Sequence, residues 1–75
     1  MAEIEIRSEL NGIVRTIEAP AGARLEADGT LLVLECMKME IPVLVPAGGT
    51  VKTVLVEEGA MVEEGQVLAI LERRV

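Results

Sequence analysis

The sequence contains no phenylalanine, tyrosine, tryptophan or histidine, and only one cysteine, in 75 residues. Each absence closes off a class of chemistry. Without histidine, and with Cys36 as the sole thiol, the chain has no ordinary zinc ligand set, no Ser/His/Asp triad and no Cys/His pair. Neither a metal nor a catalytic residue is expected. No aromatic ring can stack on a base, and 13 acidic against 7 basic residues give a net charge of -6 that repels a phosphate backbone. Nucleic acid is therefore not an expected partner. No apolar run approaches the roughly 18 residues of a membrane-spanning helix. The opening MAEIEIRSEL also lacks the basic and apolar regions of a signal peptide. The expected compartment is the cytoplasm, with no membrane partner, where a single cysteine stays reduced.

What remains is aliphatic and punctuated. Hydrophobic residues make up 51% of the chain, which supports a compact core built almost wholly from Val, Leu and Ile, and the length suits a single domain over residues 1–75. An internal repeat organises that domain. Shifting the sequence by 37 places superposes Gly12 on Gly49, Val14 on Val51, Thr16 on Thr53, Gly22 on Gly59 and Ala23 on Ala60. The match runs on through Glu26/Glu63, Leu31/Leu68, Leu34/Leu71 and Glu35/Glu72, giving nine identities in 24 ungapped pairs. Neither half is long enough to bury a core alone, so the two are expected to pack about a pseudo-twofold axis.

The pattern within each half is that of strands. Ile4 and Ile6 alternate with charged residues, and further runs follow at 13–17, 31–36, 41–45, 51–56 and 67–71. Pro20 with Gly22, Asp28 with Gly29, Pro46 with Gly48 and Gly49, Gly59, and Gly65 mark the turns. Gly59 disfavours a helix across 57–64. Short strands in a doubled pattern predict an all-β fold of two small sheets packed face to face and closed into a flattened barrel. The repeat carries Lys38 onto Val75, so the turn at Lys38 and the chain termini are expected at opposite ends.

That turn is chemically unusual. Residues 35–42 read ECMKMEIP, and a two-residue hairpin loop at Met37 and Lys38 would place an ammonium at a tip. Methionine is an odd choice there, because solubility disfavours thioethers on an exposed turn. Two readings follow from the residue types. Either Met37 and Met39 form a soft recognition surface around a lysine presented for modification, or both turn inward as gap-fillers and Lys38 is an ordinary solvated residue. The other lysine, Lys52, is the repeat mate of Arg15 and reads as a solvated strand residue.

The hexapeptide Glu35, Cys36, Met37, Lys38, Met39 and Glu40 resembles the signature of biotinyl domains, the carboxyl carriers of biotin-dependent carboxylases, decarboxylases and transcarboxylases. Pro46, Gly49 and Val51 are similar to the family's downstream turn, and Gly59, Val62, Gly65, Gln66 and Leu68, closing with Ile70 and Glu72, to its second glycine-rich turn. The resemblance implies a flattened barrel of two four-stranded sheets with pseudo-twofold symmetry. It also implies biotin joined covalently to Lys38 by a biotin protein ligase. Met37 and Met39 would position the lysine and be read by the ligase; Glu35 and Glu40 would supply recognition charge. The attached biotin would carry a carboxyl group between biotin carboxylase and carboxyltransferase subunits or domains, leaving the chain itself a non-catalytic carrier. The related alternatives are a lipoyl carrier, whose lysine typically follows Asp without flanking methionines, and an unmodified adaptor of the same fold. Cys36 stands where the family usually has Ala or Ser, and no insertion corresponds to a protruding thumb, so the resemblance is to the thumbless type. Asp28 occupies the mate position of Gly65, with Gly29 one place later; this leaves room for a different local turn geometry, although an Asp-Gly pair supplies the same capacity for positive φ.

Overall fold

The computed structural model describes residues 2–73. Alternation of apolar and polar residues produces eight strands and, among the described residues, no helix. They are β1 (Glu3–Arg7), β2 (Gly12–Ile17), β3 (Arg24–Leu25), β4 (Thr30–Cys36), β5 (Met39–Leu44), β6 (Gly49–Val54), β7 (Met61–Val62) and β8 (Val67–Arg73). Two four-stranded antiparallel sheets result, ordered β1-β8-β6-β3 and β5-β4-β2-β7.

The 37-residue repeat is a structural symmetry. Adding 37 converts β2 into β6, β3 into β7 and β4 into β8, residue for residue, and subtracting it converts most of β5 into β1. One sheet thereby becomes the other. The turn hydrogen bonds obey the same shift. The Gly22 N–H donates to Val51 O and the Gly59 N–H to Val14 O; the Val51 N–H donates to Ala23 O and the Val14 N–H to Ala60 O. Core residues pair likewise: Val14 with Val51, Leu31 with Leu68 and Leu34 with Leu71 are buried, and Ile17 and Val54 pack against that core at matched positions.

Two short strands escaped the alternation pattern. β3 and β7 hold two residues each, too few to carry a period, and each is fixed only by pairing with β6 or β2. Of the two geometries open to the Asp28-Gly29 turn, the structure shows the one shared with Gly65. Asp28 takes a φ of 67° where Gly65 has 89°, and its N–H donates to Val45 O just as the Gly65 N–H donates to Ser8 O. The geometry is therefore retained, because aspartate tolerates the left-handed region that the turn requires.

Gly12 and Gly49 are needed for another reason. A Cβ on Gly12 would lie 2.9 Å from Glu35 O, and one on Gly49 would lie 2.3 Å from Glu72 O. Backbone crosses backbone there, at mate positions in the two sheets. The exposed edges are also managed: Pro42 interrupts donors along edge strand β5, while edge strand β1 carries Glu3, Glu5 and Arg7.

The described chain ends lie away from Lys38. β8 starts at Val67, beside the 63–66 turn that Asn11 holds through its Oδ1 to the Glu64 N–H, near the β4–β5 hairpin. The strand then runs the other way to Arg73, whose N–H donates to Ala2 O. Val75, used above to place the terminus, lies outside the described residues.

Candidate functional site

β4 and β5 are joined by a two-residue turn, with Cys36 paired to Met39 and Glu35 to Glu40. Met37 and Lys38 have φ of 53° and 67°, both left-handed, the pattern of a type I′ turn whose twist matches the flanking strands. Such turns ordinarily recruit Asn-Gly. A methionine and a lysine in this region cost about 1–2 kcal/mol each, strain that the hairpin ladder has to hold. Replacing Met37→Gly is therefore expected to raise stability by about 1 kcal/mol, moving the melting temperature upward by about 4–8 °C. Calorimetry is the suitable readout in a chain without aromatic residues. An unchanged or lower melting temperature would show that the positive φ carries no penalty.

The inward reading of the methionines does not hold. Met37 is 89% exposed and Met39 61% exposed, on either side of the exposed Lys38. A recess of about 310 Å³ lies elsewhere, lined by residues that include Arg7, Leu10, Ile41 and Val43. Lys38 does not border it. The lysine is presented on a tip, where an enzyme can reach its Nζ. Cys36, at the base of the hairpin, is only partly exposed.

Glu35 and Glu40 face each other across β4 and β5, an arrangement that is repulsive for two carboxylates. Arg15 resolves it. The β2–β4 register shifts between Val14 and Thr16, and the intervening Arg15 reaches both, with Nη1 3.0 Å from Glu35 Oε1 and Nε 3.0 Å from Glu40 Oε2. The symmetry supplies a control for interpreting this cluster. In the other sheet the β6–β8 register shifts between Val51 and Thr53, and Lys52 pairs with Glu3 on β1, which faces Glu72 on β8. Lys52, Glu72 and Glu3 are the mates of Arg15, Glu35 and Glu40. Because the clamp recurs at the end that has no methionine-flanked lysine, it fastens an edge strand to each sheet and needs no recognition role to explain it. Sequence reasoning missed Arg15, since the bulge that aims it has no signature short of the strand register.

The hydrogen bond to Glu3, followed by that carboxylate's charge, raises the Lys52 pKa above its ordinary 10.5; desolvation opposes them, and the charge of Glu72 adds the least. A raised lysine pKa contributes stability that is fully present below the unfolded value and is lost as pH rises through the folded one. On the lysine side the clamp thus persists through neutral pH and loosens in strong alkali. Among the described residues no cluster of His, Cys, Asp or Glu is arranged to hold a metal ion.

Comparison with known proteins agrees with this geometry. A family model described as "Biotin-requiring enzyme" (Biotin_lipoyl) matches residues 21–71. A biotinylated protein TB7.3 homolog of Mycobacterium leprae is 35% identical over 71 residues, covering 95% of this chain and 99% of that protein. A biotin/lipoyl attachment protein of Bacillus subtilis is 38% identical over 60 residues, covering 80% of this chain and 82% of that one. Among solved structures, a single-chain, multi-domain long-chain acyl-CoA carboxylase contains a region that superposes with a TM-score of 0.90 at 36% identity. It spans 96% of this chain and 7% of the carboxylase. Repeat, hairpin and matched relatives converge, and the chain belongs to the biotin/lipoyl attachment family.

Proposed function

We propose that this chain is a biotin carboxyl carrier, a single domain working in the cytoplasm, with biotin joined covalently to Lys38. The observation that carries the proposal is an exposed lysine at a strained I′ tip, flanked by two outward-facing methionines, in a fold of this family. A lysine so placed fits amide formation. A biotin protein ligase first joins the biotin carboxylate to the AMP moiety of ATP, releasing pyrophosphate; the Lys38 Nζ, having lost a proton, attacks that acyl carbon, the C–O bond to the phosphate breaks and AMP departs, leaving a neutral amide and taking one positive charge from the domain. Once attached, biotin supplies a ureido nitrogen able to take up a carboxyl group at a biotin carboxylase and release it at a carboxyltransferase.

The chain's own residues present and carry. The β4–β5 ladder holds the tip at a fixed angle, and Met37 and Met39 give the ligase an adaptable apolar contact on each side of the nucleophile. The lysine stem and the biotin side chain together reach roughly 12–15 Å. Tethering in this way replaces a bimolecular encounter by a high local concentration at each partner's active site. The chemistry then belongs to those partners, and the chain contributes no catalytic residue.

Incubation with biotin protein ligase, ATP and biotin is expected to add one biotin less one water per chain, mapped by digestion to Lys38. A parallel reaction with lipoate and a lipoate ligase is expected to leave the mass unchanged. Lipoate addition without biotin addition would make the chain a lipoyl carrier. No change with either ligase, each proven active on a control carrier, would point to the unmodified adaptor.

A further inference from the structure

The two sheets should present similar outer faces if symmetry alone shaped them. Read across the strands, one row of the hairpin-bearing sheet is Met61 on β7, Ile13 on β2, Glu35 on β4 and Glu40 on β5. The mate row of the other sheet is Arg24 on β3, Thr50 on β6, Glu72 on β8 and Glu3 on β1. The carboxylate halves agree, each with its cation. The other halves do not: Met61 and Ile13 replace Arg24 and Thr50, and they stand 81% and 45% exposed. Their immediate neighbours Val62 and Val14 are buried, so the core has claimed the opposite face of both strands and nothing in the packing requires apolar side chains outside.

We infer that Ile13 and Met61 form a second contact for the enzyme that acylates Lys38, beside the hairpin, and that this enzyme brings an apolar side chain with lysine or arginine around it. The inference rests on the function proposed above. The patch lies on the hairpin's own sheet, within two strands of it, and one residue row before the Cys36–Met39 pair. A protein seated over the tip covers it in the same approach. The surroundings select the partner's charge. The exposed Glu63 and Glu64 follow β7 directly, where the corresponding mates are Glu26 and Ala27. The neighbouring cation, Arg15, two residues along β2 from Ile13, is already held by Glu35 and Glu40. An apolar centre inside an acidic rim suits a partner of complementary pattern.

The fold provides a safe substitution, because the mate residues already occupy equivalent strand positions. The double variant Ile13→Thr/Met61→Arg is expected to melt near the wild-type temperature while kcat/KM for biotinylation falls about tenfold or more, chiefly through KM. The reciprocal Thr50→Ile/Arg24→Met variant is expected to be modified at the wild-type rate. Should the first pair fold poorly, Met61→Ser alone, at an exposed position, carries the same test with a loss of about threefold. Modification of a folded variant within about twofold of wild type would overturn the docking surface while leaving Lys38 as the biotin site. A wild-type chain that the ligase does not biotinylate would overturn the proposed function, and with it the partner named here.

Discussion

Lys38→Arg is expected to abolish biotin attachment completely, whereas Lys52→Arg leaves it at the wild-type level. These are the only two lysines, and the structure separates them sharply. Lys38 projects from the hairpin tip; Lys52 lies along β6 with its Nζ on Glu3, doing in one sheet what Arg15 does in the other. Arginine at position 38 preserves length and charge but cannot be acylated by the ligase, as its guanidinium stays protonated at any working pH. Arginine at position 52 copies the residue that the mate position already carries, so the clamp survives. Intact-mass spectrometry after exhaustive ligation reads both results. Label retained in the Lys38→Arg chain, or lost from the Lys52→Arg chain, would reverse the assignment.

The largest effect on stability is expected from Gly49→Ala, about 3 kcal/mol or more, against about 1–2 kcal/mol for Gly12→Ala. In both sheets the glycine backbone passes over the carbonyl of a glutamate on the neighbouring strand, Glu35 or Glu72. The gap left for a Cβ is smaller at Gly49, with Glu72 O at 2.3 Å and Arg73 Cα at 3.1 Å, than at Gly12, with Glu35 O at 2.9 Å. Neither obstacle is the flexible end of a side chain, so relief requires β8 or β4 to shift. A domain of this length has about 4–11 kcal/mol in total, and 3 kcal/mol corresponds to a fall of about 12–24 °C in melting temperature. Urea titration followed by far-UV circular dichroism measures the difference. Equal losses at the two sites would mean that the sheets relax alike despite their unequal clearances.

The features legible in the sequence were those that depend on spacing. Gly12/Gly49, Gly22/Gly59 and Leu34/Leu71 announced the repeat because each pair serves one backbone or core requirement twice. The hairpin at Met37 and Lys38 was legible from the strand runs on either side and from the methionines that solubility disfavours. The Arg15 clamp was not, since a bulge moves its side chain by one register position and only the paired strands reveal which carboxylates it meets. Ile13 and Met61 were obscured for a related reason. An apolar residue in a strand is assigned to the core by default, and their outward direction emerges only when Val14 and Val62 are seen to hold the inner positions. At Asp28 the capacity for positive φ was legible from the Asp-Gly pair, but that the aspartate itself takes up the left-handed position of Gly65 is settled only by the backbone.

Placing the lysine tip and the Ala2–Arg73 contact at opposite ends of a body 37 Å long makes the domain a lever. A hinge in any segment joined to those ends turns the whole rigid barrel, and a rotation of one radian carries Lys38 through an arc equal to the body's own 37 Å. That travel exceeds the roughly 12–15 Å reach of the lysine and biotin stem. The distance between two partner active sites could then be covered mainly by rotation at the far end, with the flexible stem needed only for the last alignment.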